Sequence, residues 1–345
     1  MSEITPQSLS EATAAGRDAF AVAAAPTPQY RRWLDVALSS GLALVLIYGA
    51  MLLVFGTTAD GFFTTDNLIT IAEGVATLGI VAAVQTAVII SGGFDLSVGS
   101  TAALCSVTAA KVLIGGGGSA AAIASALAVG TGVGVLNGLV ITRLRVNPLI
   151  ATLATFSAIR GVAYVWTNAL TQIYPTQYLD YMGRLRLFNN NFPVSILYML
   201  ATFAAVWLVL RYTAFGRFVY AVGGNPRAAF LAGLHVDRVR VIVYAASGLS
   251  AGLAGLVIAS QLIAGSPQAA NQLELNAVTA AVLGGASLSG GQGRVWMTLI
   301  GALITGTLTN GLVLLNISSL WQMIALGIVL VIAVALDQLR VRTRR

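Results

Sequence analysis

The chain has 345 residues, of which 57% are hydrophobic and only 9% are charged, and its mean hydropathy is +0.85. Soluble domains carry about 25% charged residues, so this composition excludes an ordinary soluble globular protein and indicates a membrane protein. The formal net charge of +7 does not indicate nucleic-acid binding, because the basic residues lie in loops and at the C-terminus, where they orient membrane proteins.

Ten apolar segments follow an N-terminal tail. Residues 1–35 are rich in Ala, Ser, Thr and Pro, which predicts a flexible cytoplasmic tail without a secretory signal. Crossing a bilayer takes about 20 mostly apolar residues. The predicted spans, within a transmembrane domain at 36–338, are 36–56, 68–91, 97–114, 119–141, 149–168, 193–211, 241–263, 274–290, 295–315 and 319–338. The eighth is the weakest because it is rich in glycine, and residues 339–345 form a basic cytoplasmic tail.

The basic residues predict the orientation of these spans. If the N-terminus is cytoplasmic, 15 arginines fall on cytoplasmic segments, whereas only Lys111, Arg184 and Arg186 fall on external ones. This is a strong positive-inside bias. Both termini are then cytoplasmic, which requires an even number of spans. The predicted fold is therefore an all-α polytopic membrane protein with about ten transmembrane helices.

The segment Ser91–Ser100, SGGFDLSVGS, separates the second and third spans. Glycine costs a helix about 1 kcal/mol relative to alanine, so Gly92, Gly93 and Gly99 predict that the chain leaves regular helix here. Irregular backbone at membrane depth persists only where it is buried in protein or lines a wet cavity. Asp95 has two open roles, which are capping the next helix and contacting a passing solute.

A related glycine pattern recurs late in the chain. GGFDLSVG at 92–99 and GGASLSGG at 284–291 align as GG-x-x-L-S-x-G. Transporters are often built from repeated halves around a central site. A chance likeness between two glycine-rich segments explains the pattern equally well.

A short cytoplasmic helix is predicted at Pro226–Ala232. Asn225 is a good N-cap, Pro226 suits the first turn and Gly233 suits a helix end. The helix presents Arg227, Ala228, Ala229, Phe230 and Leu231. Such a face can dock into a groove on a partner protein, and a connector lying on the surface is the alternative.

Two ionisable residues fall within predicted spans. Glu73 lies in the outer third of the second span, and Arg160 lies about two thirds of the way across the fifth. Their similar depth, at about 1.5 Å of rise per residue, predicts that they pair across helices. Both a structural role and a role at the substrate fit such a pair.

Four segments carry a family resemblance. They are SGGFDLSVGS at 91–100, NPLIATLATF at 147–156, GRFVYAVGGNPRAAFLAGLHV at 216–236 and LELNAVTAAVLGGASLSGGQG at 273–293. Together they resemble, in order, the motifs of the membrane-spanning permease subunits of bacterial sugar ABC importers of the ribose/xylose/galactose type. The resemblance covers the chain from about Leu68 to the C-terminus.

The resemblance implies a multi-pass inner-membrane permease that forms the pathway for a monosaccharide or similar polyol. It makes Asn225–Gly233 the coupling helix that docks on a separate ABC ATPase subunit. ATP and Mg²⁺ are then expected on that subunit, while this chain binds no cofactor or metal and is not an enzyme. It also contains no P-loop sequence. The other expected partners are a periplasmic sugar-binding protein, a second permease copy or a homologous permease, and membrane lipid, but no nucleic acid.

A sugar pathway requires hydrogen-bonding groups on interior helix faces, because the hydroxyls of the sugar exchange water for protein partners. The residues predicted to line the pathway are Gln85, Ser91, Gly92, Gly93, Asp95, Ser97, Asn137, Thr152, Thr155 and Asn310. An interhelical hydrogen bond is an equal alternative for the uncharged polar members of this set.

Two other functions stay open. One is the same architecture carrying a nucleoside or another small polar solute. The other is a secondary transporter working alone, which is expected to place several carboxylates or a chain of histidines in the membrane. Only Glu73 and Asp95 are candidates for such groups.

Overall fold

The computed structural model describes the backbone of residues 42–188 and 192–343, and their side chains except those of 176, 319 and 335–343. The predicted tail at 1–35 lies outside the described residues. The helices, numbered in chain order, are α1 (Leu42–Thr58), α2 (Thr65–Ile90), α3 (Val98–Ile114), α4 (Ser119–Arg143), α5 (Pro148–Thr167), α6 (Asp180–Gly183), α7 (Val194–Tyr212), α8 (Ala214–Gly224), α9 (Pro226–Leu231), α10 (Val236–Leu262), α11 (Leu273–Leu283), α12 (Val295–Leu314) and α13 (Ser319–Thr343).

Six of these helices are long and apolar enough to cross a membrane, and they are α2, α4, α5, α7, α10 and α12. Shorter apolar helices are α1, α3, α11 and the 320–334 part of α13. The prediction of an all-α polytopic membrane protein is confirmed at this level. Each predicted span overlaps one helix, although α10 begins earlier than predicted and α13 continues to Thr343, into the predicted C-terminal tail.

The eighth predicted span is wrong in its second half. Helix α11 ends at Leu283, and residues 284–294 are not helical. The backbone of Gly285 has φ +84°, a left-handed conformation that glycine adopts without cost. The adjacent pair Gly284 and Gly285 therefore ends the helix well before residue 290.

Helix α2 lies at the centre of the core. Nearly all its residues from Val75 to Ile90 are buried, and it packs against α7, α10, α11 and α12. Helices α4 and α10 meet most closely through glycines: a Cβ at Gly134 would overlap the carbonyl oxygen of Tyr244, and one at Gly248 would lie 2.8 Å from the amide of Gly134. Small residues allow such close backbone contact, which drives helix association in lipid.

Contacts between loops divide the bundle into two ends. At one end, β1 (Gln172–Ile173) pairs antiparallel with β4 (Ala264–Gly265), and β2 (Arg186–Leu187) pairs with β3 (Phe192–Pro193). At the other end, the loops that follow α2 and α11 meet the end of α8. These contacts join segments that an alternating, antiparallel series of spans would place at the same end.

Candidate coupling and transport site

The SGGFDLSVGS segment leaves regular helix, as predicted. Residues 91–97 lie between α2 and α3 without helical structure, and Gly92 has φ +79°. Tyr244 on α10 holds this loop through two hydrogen bonds: its hydroxyl accepts from the Phe94 amide at 3.1 Å and donates to the Phe94 carbonyl at 2.9 Å. Irregular backbone inside the bundle is thus buried in protein and hydrogen-bonded, as a membrane environment requires.

Asp95 and Ser97 together anchor the loop to α4 and α10. Asp95 is only 1% exposed, and its Oδ1 accepts hydrogen bonds from the Ser97 amide at 2.9 Å and the Ser97 hydroxyl at 2.6 Å. Its Oδ2 accepts from the Ser247 hydroxyl on α10 at 2.7 Å. Asn137 on α4 donates to the Ser97 hydroxyl at 2.8 Å. Ser97, and not Asp95, is the N-cap residue of α3, so Asp95 fixes the residue at which α3 begins without capping the helix itself.

The two glycine motifs meet in space. The Gly291 amide donates a hydrogen bond of 2.8 Å to the Ile90 carbonyl at the end of α2. A Cβ at Gly290 would lie 2.6 Å from the Gly223 carbonyl oxygen and 3.0 Å from Cα of Gly92, and a Cβ at Gly223 would overlap the Ile90 carbonyl oxygen. We call this contact of Gly92, Gly223, Gly290 and Gly291 the glycine junction. It joins the end of α8 to the two broken segments of the bundle.

The predicted short helix follows the glycine junction directly. Helix α9 begins at Pro226, and Asn225 caps it by accepting a hydrogen bond from the Ala228 amide at 3.0 Å. Gly233, with φ +84°, follows its end. The capping residues predicted from the sequence are confirmed, and the helix ends one residue before the predicted Ala232.

The prediction that α9 presents Ala229 on its surface is wrong, because this residue faces the bundle. Ala229 is 5% exposed and packs into the core, while Phe230 is 68% exposed and Leu231 is 79% exposed. A short helix lying on a protein surface turns one side inward. The free surface of α9 therefore consists of Pro226, Arg227, Ala228, Phe230 and Leu231.

The predicted pair of Glu73 and Arg160 is also wrong. Glu73 instead forms an ion pair with Arg186 of β2, with Oε1 3.1 Å from Nη2. Arg160 donates from Nη1 to the carbonyls of Pro267 and Ala269, each at 2.8 Å. Equal depth did not make the two residues neighbours, because α5 packs mainly against α3 and α4 rather than α2.

Glu274 is an ionisable residue that the prediction left out. It is 8% exposed, its Oε2 has no hydrogen-bond partner among the described residues, and it packs against Gly99 of α3. The sequence contained the signal, since Glu274 opens the eighth apolar segment and ionisable residues in such segments are candidates by default.

A cavity of about 400 Å³ lies between α2, α10, α11 and α12. Asn310, alone among the predicted pathway residues, lines it. Gln85, Ser91, Asn137 and Thr152 are fully buried elsewhere, and the hydroxyls of Thr152 and Thr155 donate to carbonyls of their own helix. Asn67, which the prediction missed, accepts a hydrogen bond of 2.8 Å from the Asn310 amide.

The bundle contains broken helices, a close-packed glycine junction and an exposed capped helix beside it. These features are typical of membrane permeases that bind a partner at one end. Residues 67–334 match the family described as "Branched-chain amino acid transport system / permease component". The chain belongs to this family.

The chain is similar to several named sugar permeases. It is 40% identical over 290 residues to the ribose import permease of Bacillus subtilis, covering 84% of this chain and 89% of that protein. It is 38% identical to the ribose import permease of Escherichia coli K12, covering 89% and 95%. It is 35% identical to the fructose import permease of Rhizobium meliloti, covering 87% and 86%. No solved structure matches the chain significantly.

The family resemblance predicted from the four motifs is confirmed. The chain is a permease component of an ABC importer, a multi-pass protein of the bacterial inner membrane, and it is not the subunit that hydrolyses ATP.

Proposed function

We propose that this chain forms the membrane pathway of an ABC importer for a monosaccharide such as ribose or fructose, the sugars named for its relatives. The family description names branched-chain amino acids instead. A sugar is favoured because the named relatives share 35–40% of their residues with this chain over most of its length. The amide side chains around the cavity also suit hydroxyl groups.

The observation that carries the proposal is the position of α9. Phe230 and Leu231 are large apolar side chains, they are exposed, and they lie on a helix held firmly by its caps and by buried Ala229. Exposed apolar residues on a rigid short helix suit insertion into a partner's groove. We assign the ATPase subunit, which carries ATP and Mg²⁺, to this surface.

The glycine junction supplies the route by which movement of α9 reaches the pathway. Gly223 lies three residues before the start of α9 and touches backbone on both sides, at Ile90 and at Gly290. Contacts between backbone atoms leave no side chain that can deform, and packed interfaces respond to displacement by switching rather than by bending. A shift of α9 would therefore move the ends of α2 and of the 284–294 loop together.

The same geometry supports an orientation for the bundle. The end of the bundle that holds α8 and α9 also holds Arg217, Arg227, Arg238 and Arg240, which supports placing it in the cytoplasm. The opposite end would then receive the periplasmic binding protein. Ten spans and two cytoplasmic termini complete the proposal, and a second permease copy or a homologue completes the importer.

Leu231→Asp tests the docking surface. We expect this variant to lose at least about tenfold in affinity for the ABC ATPase subunit of the same importer, because a charge would enter an apolar groove without a partner. Its melting temperature in detergent should stay unchanged, since Leu231 touches little of its own chain. Leu144→Asp is the matched control, because Leu144 is a leucine 70% exposed at the same end of the bundle. Equal ATPase binding by both variants would refute the assignment.

A further inference from the structure

The segment between β4 and α11 descends into the bundle as irregular backbone. A Cβ at Gly265 would lie 2.7 Å from Cα of Val107, and one at Gly99 would lie 2.8 Å from the Ala270 carbonyl oxygen. The segment thus runs along α3 from residue 107 to residue 99, about 12 Å at 1.5 Å per residue. Helix α11 then begins inside the bundle rather than at its end.

Arg160 makes this descent possible. Backbone that leaves a helix within a membrane needs partners for its freed polar groups, and Arg160 donates to the carbonyls of Pro267 and Ala269. Ala270 and Gln272 hold left-handed φ values of +57° and +65°. Such conformations in residues other than glycine persist where the surroundings impose them, often at ligand sites.

The strained segment ends at the 400 Å³ cavity. Ala270, Asn271 and Asn276 form its wall on this side, and Asn310 forms part of the opposite wall. The side-chain amides of Asn271 and Asn276 make no hydrogen bond within the described residues, and the buried Oδ1 of Asn310 has none either. Asn271 is exposed and Asn276 is half-buried, so both amides can reach a molecule in the cavity. The buried Oδ1 of Asn310 is costly to leave without a donor, which indicates a ligand that supplies the missing hydrogen bond.

The other polar groups of the cavity are hydroxyls that can accept hydrogen bonds. Those of Thr77 and Thr305 already donate to carbonyls of their own helices, so each offers lone pairs to the cavity. No charged side chain lines it. Amide donors and acceptors beside hydroxyl acceptors, in a volume within the 300–1,000 Å³ range of small-molecule sites, match a neutral polyol rather than an ion or an amino acid.

We infer that this cavity is a monosaccharide-binding site, at the break between the descending segment and α11, in which Asn271, Asn276 and Asn310 bind the sugar hydroxyls. The inference rests on the proposed function and identifies where the transported solute binds. Discontinuous helices meeting a solute at a half-helix start recur in transporters. In the proposed orientation, the cavity lies on the side that receives the solute.

Gly74 provides the test. It lines the cavity, and a Cβ built there meets no atom within 4 Å, so a side chain can enter the cavity without strain. Gly118, in the loop between α3 and α4, is exposed, has equally open surroundings and lies away from the cavity. The natural cysteine, Cys105, is buried, so Gly74→Cys and Gly118→Cys each introduce one accessible thiol.

Labelling of these thiols with a membrane-impermeant maleimide, in the intact importer, measures occupancy directly. Saturating ribose or fructose should slow labelling of Gly74→Cys several-fold and leave that of Gly118→Cys unchanged. Asn276→Ala in the Gly74→Cys background should raise the sugar concentration needed for protection about tenfold, the effect of one lost hydrogen bond. Protection of neither thiol, or of both equally, by both sugars overturns the inference.

Uptake separates this inference from the proposed function. Gly74→Leu should abolish monosaccharide uptake, and Gly118→Leu should not. If the wild type takes up sugar with ATP and Gly74→Leu does so equally well, the cavity is not the site although the proposed function stands. If the wild type takes up no sugar, the proposed function fails, and protection of Gly74→Cys decides the inference alone.

Discussion

At the scale of single residues, the buried side chains of Arg160 and Asp95 form hydrogen bonds with backbone groups. Arg160 donates hydrogen bonds to two carbonyls of a segment that has left helical structure, instead of forming the predicted ion pair with a neighbouring helix. Asp95 does the same for the start of α3, where it accepts the Ser97 amide. Both residues lie where the backbone leaves regular helix inside the bundle. Backbone groups at this depth have no water to bond with, so side chains supply their hydrogen-bond partners.

Double-mutant cycles separate the partners of Glu73. Arg160→Met should destabilise the protein strongly, because each buried carbonyl left unpaired costs about 1–3 kcal/mol. Glu73→Gln should cost only about 0–1 kcal/mol, because its pair with Arg186 is partly exposed. In thermal unfolding, Glu73 and Arg160 changes should add, whereas Glu73 and Arg186 changes should couple. A coupling energy between the Glu73 and Arg160 substitutions would contradict the structure, in which these two residues do not pair.

Two substitutions of Asp95 test how strongly it stabilises the start of α3. Asp95→Asn keeps an oxygen for the Ser97 amide and should cost about 1 kcal/mol, while Asp95→Ala leaves buried donors unpaired and should cost about 2–3 kcal/mol or more. Melting temperature and ATP-driven uptake should fall in the same order. A well-folded Asp95→Asn protein without transport would show instead that the negative charge itself is required.

At the scale of elements, the glycine junction is the feature that links α9 to the bundle. Gly223→Ala should destabilise the protein by about 1–3 kcal/mol and lower transport, because the added carbon meets backbone that cannot repack. Gly224→Ala is the control one residue away, since a Cβ there meets nothing within 4 Å. Thermal unfolding and uptake measured on both variants decide the point. Equal behaviour of the two would contradict a close-packed junction.

The elements differ in how far the sequence predicts them. Helix α9 was predictable because its caps, Asn225 and Gly233, act locally. Which side of α9 faces the bundle was not, because burial of Ala229 depends on where α8 and α10 lie. The partner of Arg160 was missed for the same reason: depth can be counted along a span, but lateral neighbours depend on the packing of the bundle.

At the scale of the whole molecule, the alternation of successive loops between the two ends of the bundle predicts the side of the membrane on which each loop lies. A cysteine at His235, beside α9, should react with an impermeant maleimide only from the cytoplasm, and one at Gly118, between α3 and α4, only from outside. Both positions are exposed in the structure, and Cys105→Ala provides a background without thiols. Labelling of intact and permeabilised cells makes the comparison. Reaction of both positions from one side would contradict an odd number of crossings between them.

The central claim is that this chain conducts a monosaccharide only as part of an ATP-driven importer. The most direct measurement is uptake of labelled ribose or fructose into proteoliposomes that contain the chain with its ABC ATPase subunit, with the periplasmic binding protein added outside. The account predicts accumulation that requires ATP inside the vesicles and disappears when the ATPase or the binding protein is left out. Uptake by the chain alone, driven by an ion gradient, would contradict it.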